Sequence, residues 1–209
     1  MPKNRTELEE KYRREGRLPP GQVLTDKFPV LHYGRVPVFD LAAWDFKIWG
    51  EVEKPLRLSW PKFNELPRTR IIMDLHCVTR WSKFDTVWEG ILVKTLIEQS
   101  LLTIKSSAKF VLQHAENGFT ANLPIEVVLA ENFLLATHFN NEPITPDHGY
   151  PLRGLVGAIP ARKDLKDVYL WKGAKWLRGL ELMSEDRLGF WEEAGYNNTA
   201  DVWKEERFA

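Results

Sequence analysis

The sequence predicts an α+β fold in which mixed sheets of short strands combine with short helices. Two observations support this class. Short runs rich in Val, Ile, Phe and Trp are separated by Pro and Gly, and the helical segments do not alternate regularly with the strands. The 209 residues contain no internal repeat, low-complexity stretch or evident linker. We therefore predict a single domain over residues 21–209, preceded by a charged extension over residues 1–20.

The first half of the chain supplies most of the predicted strands. Residues 3–17 predict a short charged helix or a frayed tail that stops at GRLPPG, and the stretch from FPVLHYGRVPVFD to WDFKIWGEVEKPLRLSW predicts strands and turns. SWPKFNEL predicts a brief helix with Ser59 as N-cap and Pro61 in its first turn. RIIMDLHCV predicts a strand, and its period of two places Cys77 at the end of the apolar face, where the strand meets a loop.

The second half mixes helices and strands. ILVKTLIEQS has the length and spacing of a helix, AKFVLQHA predicts a strand, and LPIEVVLA predicts a short helix entered through Pro124. NFLLATHF is a further strand, followed by the loop EPITPDHG, which is rich in turn residues. YPLRGLVGAIP and KWLRGLELM predict two more strands, joined by the basic loop ARKDLKDVYLWKGA.

Charge and cysteine content exclude several classes of protein. The 29 basic and 29 acidic residues cancel, which gives no electrostatic argument for nucleic acid or an anionic membrane as the main partner. A single cysteine excludes an intrachain disulfide and a CxxC metal site. The N-terminal residues contain no apolar run, so we expect no signal sequence and no membrane span, and a cytoplasmic protein.

Cys77 stands in the cluster HCVTRWS, beside His76 and Arg80. A lone cysteine is most often a small buried hydrophobic residue. The end of a strand and nearby positive charge instead favour a thiolate that attacks a substrate or binds a metal. A nucleophilic thiol needs a base, and the sequence does not choose among the five histidines. A zinc site would need about three ligands, and no HxxxH or HxH spacing is present.

Two further motifs combine turn residues with positive charge. In PDHGYPLR, His148 and Arg153 lie at a loop that leads into a strand, and Arg offers a planar fork of donors for a phosphate or a heterocycle. In WKGAKW, Gly173 and Ala174 allow the backbone to approach a ligand and Lys175 adds charge, without the GxxxxGK[ST] spacing of a P-loop. Alone, PDHGYPLR is equally compatible with a loop of turn residues and a surface arginine, and a basic loop such as WKGAKW is more often a solvated turn.

The combination of HCVTRWS, HGYPLR and WKGAKW, with FPVLHYG upstream, resembles the sulfite oxidase-like molybdopterin oxidoreductases, above all their small single-domain prokaryotic members. The opening RLPPGQVLT and the ending GFWEEAGYNNTADVWKEERF extend the resemblance over nearly the whole chain. The resemblance implies the sulfite oxidase-type molybdopterin-binding fold and a molybdenum–molybdopterin cofactor without haem. It also implies oxygen-atom or two-electron transfer with a small-molecule oxo-transfer substrate, and a separate protein that donates or accepts electrons.

The same resemblance implies the site residues. Cys77 would ligate molybdenum through its thiolate and, with Arg80, serve catalysis. The stretch VTRWSKF has only Arg80 where sulfite-oxidising relatives carry several arginines, so sulfite is not the expected substrate. The alternatives are a cofactor-free binding or scaffold protein that keeps the fold and, less favoured, a cysteine hydrolase. The residues implied to hold the pterin are His32, Tyr33, Gly34, Cys77, His114, His148, Arg153, Gly173, Ala174 and Lys175.

Overall fold

The computed structural model describes residues 4–209 and confirms the α+β class: two β-sheets are joined by short helices and long loops. The strands are β1 (Val23–Leu24), β2 (Asp45–Gly50), β3 (Leu56–Ser59), β4 (Thr69–His76), β5 (Trp81–Ile91), β6 (Phe110–Ala115), β7 (Thr120–Pro124), β8 (Phe133–Phe139), β9 (Glu142–Pro143), β10 (Arg153–Val156) and β11 (Leu177–Met183). The helices are α1 (Arg5–Arg14), α2 (Trp60–Asn64), α3 (Val93–Glu98), α4 (Ile125–Val128) and α5 (Phe190–Glu193), with 3₁₀ turns at Glu116–Gly118, Pro146–His148 and Leu170–Lys172.

Both sheets mix parallel and antiparallel pairs. In the first sheet the long strand β5 pairs with β4 and β8 in antiparallel orientation and with β1 in parallel orientation, and β8 also pairs with β9 and β10. The second sheet has the order β3-β2-β11-β6-β7, with β2 and β11 parallel. The strand β5 therefore connects the N-terminal segment, the strand that ends before Cys77 and the β8–β10 pair.

Two apolar clusters form the core. The larger cluster includes Phe46 and Phe63, and it joins residues of the second sheet to residues of β8 and β10 in the first sheet. The smaller cluster contains Met73, Leu75 and Cys77 and lies on the first sheet. The predicted apolar face of β4 is thus confirmed, and its last member, Cys77, belongs to the core of the protein.

Most predicted elements are present, and one stretch was predicted wrongly. Residues 25–44, which include FPVLHYGRVPVFD, contain no strand. Pro29 and Pro37 lack the backbone N–H that a ladder requires, so this segment runs as an extended loop. The helix at SWPKFNEL is α2, but Ser59 makes no side-chain capping hydrogen bond. The strands β5 and β7 were not predicted. In β5, charged residues interrupt the alternation of apolar and polar residues, and the structure has Asp85 in a left-handed conformation.

The N-terminal extension packs on the domain. Its helix α1 is followed by Arg17, which donates hydrogen bonds of 2.8 and 2.7 Å to the two carboxylate oxygens of Asp74. Leu18 is buried. The division at residue 20 stays a prediction, and residue 3 of the predicted helix lies outside the described residues. Within residues 4–209, no helix is long and apolar enough to cross a membrane.

Candidate cofactor site

A cavity of about 280 Å³ lies where the loop after β4, the start of β10 and the loop before β11 meet the segment that follows β1. The structure brings several of the predicted residues to its wall: His32, Tyr33, Cys77, Arg153, Gly173 and Lys175. His148 lies directly behind this wall, since its ring stacks on Phe28 with centroids 4.0 Å apart and Phe28 lines the cavity. Three motifs that are far apart in sequence therefore converge on one cavity.

Cys77 is presented by a tight hairpin loop between β4 and β5. Its N–H donates to the carbonyl of Trp81 at 2.9 Å, and its carbonyl accepts from Arg80 N–H at 3.0 Å. Arg80 has a φ of 74°, which is the left-handed position that closes a three-residue hairpin loop. Cys77 is only 7% exposed, and its Sγ lies 3.2 Å from Thr79 Oγ1. Burial raises the pKa of the Cys77 thiol, so a bound metal ion rather than solvent would favour the thiolate.

Arg153 is a buried cation without a carboxylate partner. The first residue of β10, it is 1% exposed, and its Nη1 donates to the carbonyl of His148 at 3.0 Å. Its Nε makes no hydrogen bond within residues 4–209, and no acidic side chain of these residues forms a salt bridge with it. Burial lowers the pKa of Arg153 to about 10. A buried guanidinium that lacks a counter-charge is costly and is expected where an anion binds.

The WKGAKW loop contributes a second cation and a close backbone approach. The Nζ of Lys175 donates to the carbonyl of Asp147 at 2.6 Å, and burial, followed by the charge of Arg153, lowers the pKa of Lys175 to about 7. A Cβ at Gly173 would clash with the carbonyl of Gly154, so only glycine allows this packing. The N–H of Ala174 donates to Gln113 Oε1 at 3.0 Å, which directs it into the protein rather than into the cavity.

The remaining predicted residues lie outside the lining of the cavity. Arg80 has a side chain that is 63% exposed, and its Nη1 lies 4.0 Å from Glu205. His114 is on β6, where its Nε2 hydrogen-bonds to Glu181 at 2.8 Å. Gly34 packs near Asn117. The structure does not bring Arg80, His114, Gly34 or Ala174 to the cavity wall, and their predicted roles stay predictions.

Aromatic side chains make up much of the lining, and of these the site prediction included only Tyr33. Trp81, Trp171 and Trp176 stand in the motifs HCVTRWS and WKGAKW, and Phe28 opens FPVLHYG, so their positions in the sequence could have identified them. Trp191 and Tyr196 stand in the ending GFWEEAGYNNTADVWKEERF, where no neighbouring residue indicates a site. The aromatic residues of the lining are Phe28, Tyr33, Trp81, Phe119, Trp171, Trp176, Trp191 and Tyr196.

The donors at this site fit an anionic, metal-bearing cofactor. Four buried nitrogens at or beside the wall make no hydrogen bond within the described residues: Arg153 Nε, His148 Nδ1, Trp81 Nε1 and Trp171 Nε1. The lining contains two cationic side chains and, among residues 4–209, no carboxylate. It also holds the single thiol, the soft ligand that molybdenum accepts. A phosphate-bearing pterin would satisfy the donors and balance the charge.

A cysteine hydrolase would need a base beside Cys77, and the geometry of His76 does not provide one. The Nδ1 of His76 hydrogen-bonds to Ser82 Oγ at 2.8 Å. Burial lowers the pKa of His76 to about 3, so the ring is neutral near pH 7. Of the residues that the structure describes, only Thr79 forms a side-chain hydrogen bond with Sγ of Cys77. The arrangement therefore lacks the base-to-thiol contact that such a hydrolase uses.

Comparisons with known proteins identify the family. Residues 33–191 match the family model described as the oxidoreductase molybdopterin binding domain. The uncharacterized oxidoreductase YuiH of Bacillus subtilis is 43% identical over 194 residues, which cover 92% of each chain. The sulfite oxidase of Arabidopsis thaliana is 25% identical over 206 residues, 82% of this chain and 50% of that protein. The protein-methionine-sulfoxide reductase catalytic subunit MsrP of Campylobacter jejuni is 26% identical over 147 residues, 62% of this chain and 48% of MsrP.

A solved structure shows the same fold. The sulfane dehydrogenase SoxCD from Paracoccus pantotrophus aligns with a TM-score of 0.59 and 19% identity over 72% of this chain and 40% of that chain. The chain thus spans nearly all of YuiH but about half or less of these other relatives. On the family match and the 43% identity, the chain belongs to the sulfite oxidase-like family of molybdopterin-binding oxidoreductases.

Proposed function

We propose that this protein is a molybdenum–pterin oxidoreductase that transfers an oxygen atom or two electrons at a metal ligated by Cys77. One observation carries the proposal: the single thiol and a buried guanidinium without a counter-charge share one cavity that has no carboxylate among its described lining residues. The thiol suits a soft metal, and the guanidinium suits the negative charge of a pterin phosphate.

The polar residues at the cavity have distinct tasks in this proposal. Arg153 and Lys175 bind the anionic part of the cofactor, and the neutral ring of His148, held between Phe28 and the loop, offers a further hydrogen bond. Cys77 supplies one thiolate to the metal. When bound, the cofactor supplies the redox chemistry, while the aromatic wall excludes water from the reacting centre.

The proposal extends to substrate and partner. A small molecule would give or receive the oxygen atom, and a separate protein would exchange the electrons. The relatives named as sulfite oxidase and methionine-sulfoxide reductase indicate the range of chemistry that the family supports. Sulfite is not favoured here, because Arg80 points to solvent and the cations of the wall are assigned to the cofactor. The absence of haem and the cytoplasmic location stay predictions from the sequence.

Metal and pterin content test the proposal directly. The protein is purified from a host supplied with molybdate and, as a control, from a host that cannot make the pterin. About one molybdenum and one pterin per chain from the first host would support the proposal. A fully stable chain without either would support the scaffold alternative instead. A covalent acyl adduct on Cys77 without metal would support a hydrolase.

Lys175 should make anion binding pH-dependent in the cofactor-free chain. Because its pKa is lowered to about 7, Lys175 is charged at pH 6 and neutral at pH 8.5 and must take up a proton to pair with an anion. The affinity for sulfate, whose charge is constant over this range, should fall up to about 30-fold from pH 6 to pH 8.5. The pKa of Arg153, about 10, and that of His148, about 4, lie outside this range.

The measurement is the rise in melting temperature with sulfate concentration at the two pH values. Lys175→Met serves as the control and should bind weakly and equally at both. An equal loss of affinity between the two pH values in wild type and Lys175→Met would assign the pH dependence to another group.

Arg80→Gly tests whether Arg80 takes part in catalysis. The left-handed φ of 74° suits glycine better than arginine, and the one ion pair of the side chain within residues 4–209 is with Glu205, at 4.0 Å. We expect the free energy of unfolding to change by no more than about 1 kcal/mol and turnover by no more than about twofold. Chemical denaturation and steady-state kinetics measure the two quantities. A drop in kcat at unchanged stability would support the catalytic role that the family resemblance implies.

A further inference from the structure

The Cys77 loop, residues 77–80, is held by residues from both terminal segments of the chain. The carbonyl of Cys77 accepts a hydrogen bond of 3.0 Å from Gln22 Nε2. The carbonyl of Val78 accepts one of 2.6 Å from Arg207 Nη1. The carbonyl of Arg80 accepts one of 2.9 Å from the backbone N–H of Val23. Three of the four carbonyls in the loop are therefore bonded to residues that precede position 24 or follow position 206.

The side chain of Gln22 makes a single hydrogen bond within the described residues, the one to the carbonyl of Cys77. Gln22 is 0% exposed, and its Oε1 has no hydrogen-bond partner among these residues. Its own carbonyl accepts from Arg13 Nη2 at 2.9 Å, which ties it to α1. Burying an amide in a core position costs free energy that an apolar side chain of the same shape would avoid. The amide at position 22 thus has a use beyond packing.

Arg207 is held on the opposite side of the loop. Its guanidinium is buried, lies over the ring of Tyr169 at 4.9 Å, and has Nη2 3.6 Å from Glu205. Tyr169 is fixed in turn by a backbone hydrogen bond to Ala200, and the residue after it, Leu170, lines the cavity. The contacts with Tyr169 and Glu205 therefore fix the side chain of Arg207, and the hydrogen bond to the Val78 carbonyl makes it a rigid support for the loop.

We propose that Gln22 and Arg207 are positioning residues for Cys77: by fixing the carbonyls of the Cys77 loop they hold Sγ at the cavity wall. The role of Cys77 as a metal ligand rests on the proposed function, whereas the restraint on the loop does not. Both residues lie outside positions 33–191, which match the family domain. A ligand must keep its sulfur within a few tenths of an ångström of its place, so a loop that moves more would bind the metal less uniformly.

Hydrogen exchange of the loop tests the restraint on the full chain. The amides of Cys77 and Arg80 are hydrogen-bonded within the loop, so their exchange reports its opening. We expect both Gln22→Met and Arg207→Met to accelerate this exchange on the order of tenfold. Asn132→Leu is the matched control for Gln22, because Asn132 is also fully buried, donates once to a carbonyl, that of Lys166, and has an unpartnered oxygen. Arg178→Met is the control for Arg207, because Arg178 also lies over an aromatic ring and pairs with a carboxylate.

A spectrum of the loaded protein separates positioning from simple destabilisation. In the molybdenum-loaded protein, the Mo(V) electron paramagnetic resonance spectrum of the two loop variants should broaden, and that of the two controls should not. If Arg207→Met does not fold, Arg207→Lys, which keeps charge but lacks the planar fork, is measured in the same way.

In the molybdenum-loaded protein, faster exchange and a broader spectrum in both loop variants, but in neither control, would together support the proposal. An acceleration below about threefold relative to the matched control would overturn the proposal, as would a spectrum that broadens equally in the controls. Wild-type protein without molybdenum would overturn the proposed function, and exchange alone would then decide whether Gln22 and Arg207 restrain the loop.

Discussion

We expect Cys77→Ser to reduce turnover by more than about 100-fold, beyond what the loss of an outer-shell contact to a metal ligand costs. The reason is chemical, because a hydroxyl is a poor ligand for a soft metal. The fold should be retained, since serine is nearly isosteric and keeps a hydrogen-bond partner in Thr79, 3.2 Å from the sulfur. Turnover with an artificial electron donor or acceptor measures the loss, and the melting temperature measures the fold.

The control for this substitution is Thr79→Val, which removes the contact to Sγ but leaves the thiol. It should keep most of the turnover. Pterin should remain in Cys77→Ser, because the proposed pterin contacts lie on β10 and the loop before β11. Wild-type turnover in Cys77→Ser with an authentic substrate would show that Cys77 is not the metal ligand.

The second large effect is expected at Arg153, where cofactor binding rather than chemistry should fail. Losing charge-assisted hydrogen bonds to an anionic cofactor should cost about 1.5 to 3 kcal/mol, or roughly one to two decades of affinity. Arg153→Ala should therefore purify with clearly less pterin than wild type. Arg153→Lys should restore binding only in part, because an ammonium lacks the planar fork of donors. The measurement is pterin per chain, from the fluorescence of the released, oxidised cofactor.

Arg178→Ala provides the control for Arg153→Ala. The guanidinium of Arg153 lies over the ring of Trp88 at 5.6 Å, and that of Arg178 lies over the ring of Trp44 at 5.6 Å, but Arg178 pairs with Asp45 and lies outside the lining of the cavity. Its loss should leave pterin occupancy unchanged. Full occupancy in Arg153→Ala would instead assign Arg153 a structural role and would weaken the proposed contact of His148, whose carbonyl it binds.

The fold class followed from the sequence because strand and helix periods are local properties. The apolar run of β4 and the spacing in α3 needed no tertiary information. The strand β5 could not be found in this way, because it is stabilised by three partner strands rather than by its own pattern. The loop over residues 25–44 has strand-like composition, but its prolines prevent pairing, and Phe28, Leu31 and Tyr33 line the cavity instead.

At the site, too, some residues follow from local patterns and others only from tertiary contacts. Cys77, Arg153 and Lys175 stand in short motifs whose residue types indicate their chemistry, and the structure brings them to one cavity. No local pattern indicates a role at the site for Gln22, for Arg207 or for the C-terminal aromatic residues. Gln22 is brought to the site by the pairing of β1 with β5, Arg207 by its contact with Tyr169, and Tyr196 by its packing against Trp171. Sequence patterns therefore indicated three polar side chains that line the cavity, whereas the residues that hold the Cys77 loop required the tertiary structure.

The contact between Arg207 and the Val78 carbonyl also bears on the order of events during biosynthesis. Position 207 leaves the ribosome long after Cys77 has been made, since chains are synthesised from the N-terminus at a finite rate. Until then the Cys77 loop has its first support from Gln22 but lacks the second. If Cys77 ligates a metal as proposed, cofactor insertion before translation has passed residue 207 would meet a loop without this support, so we expect stable loading only after residue 207 has been made.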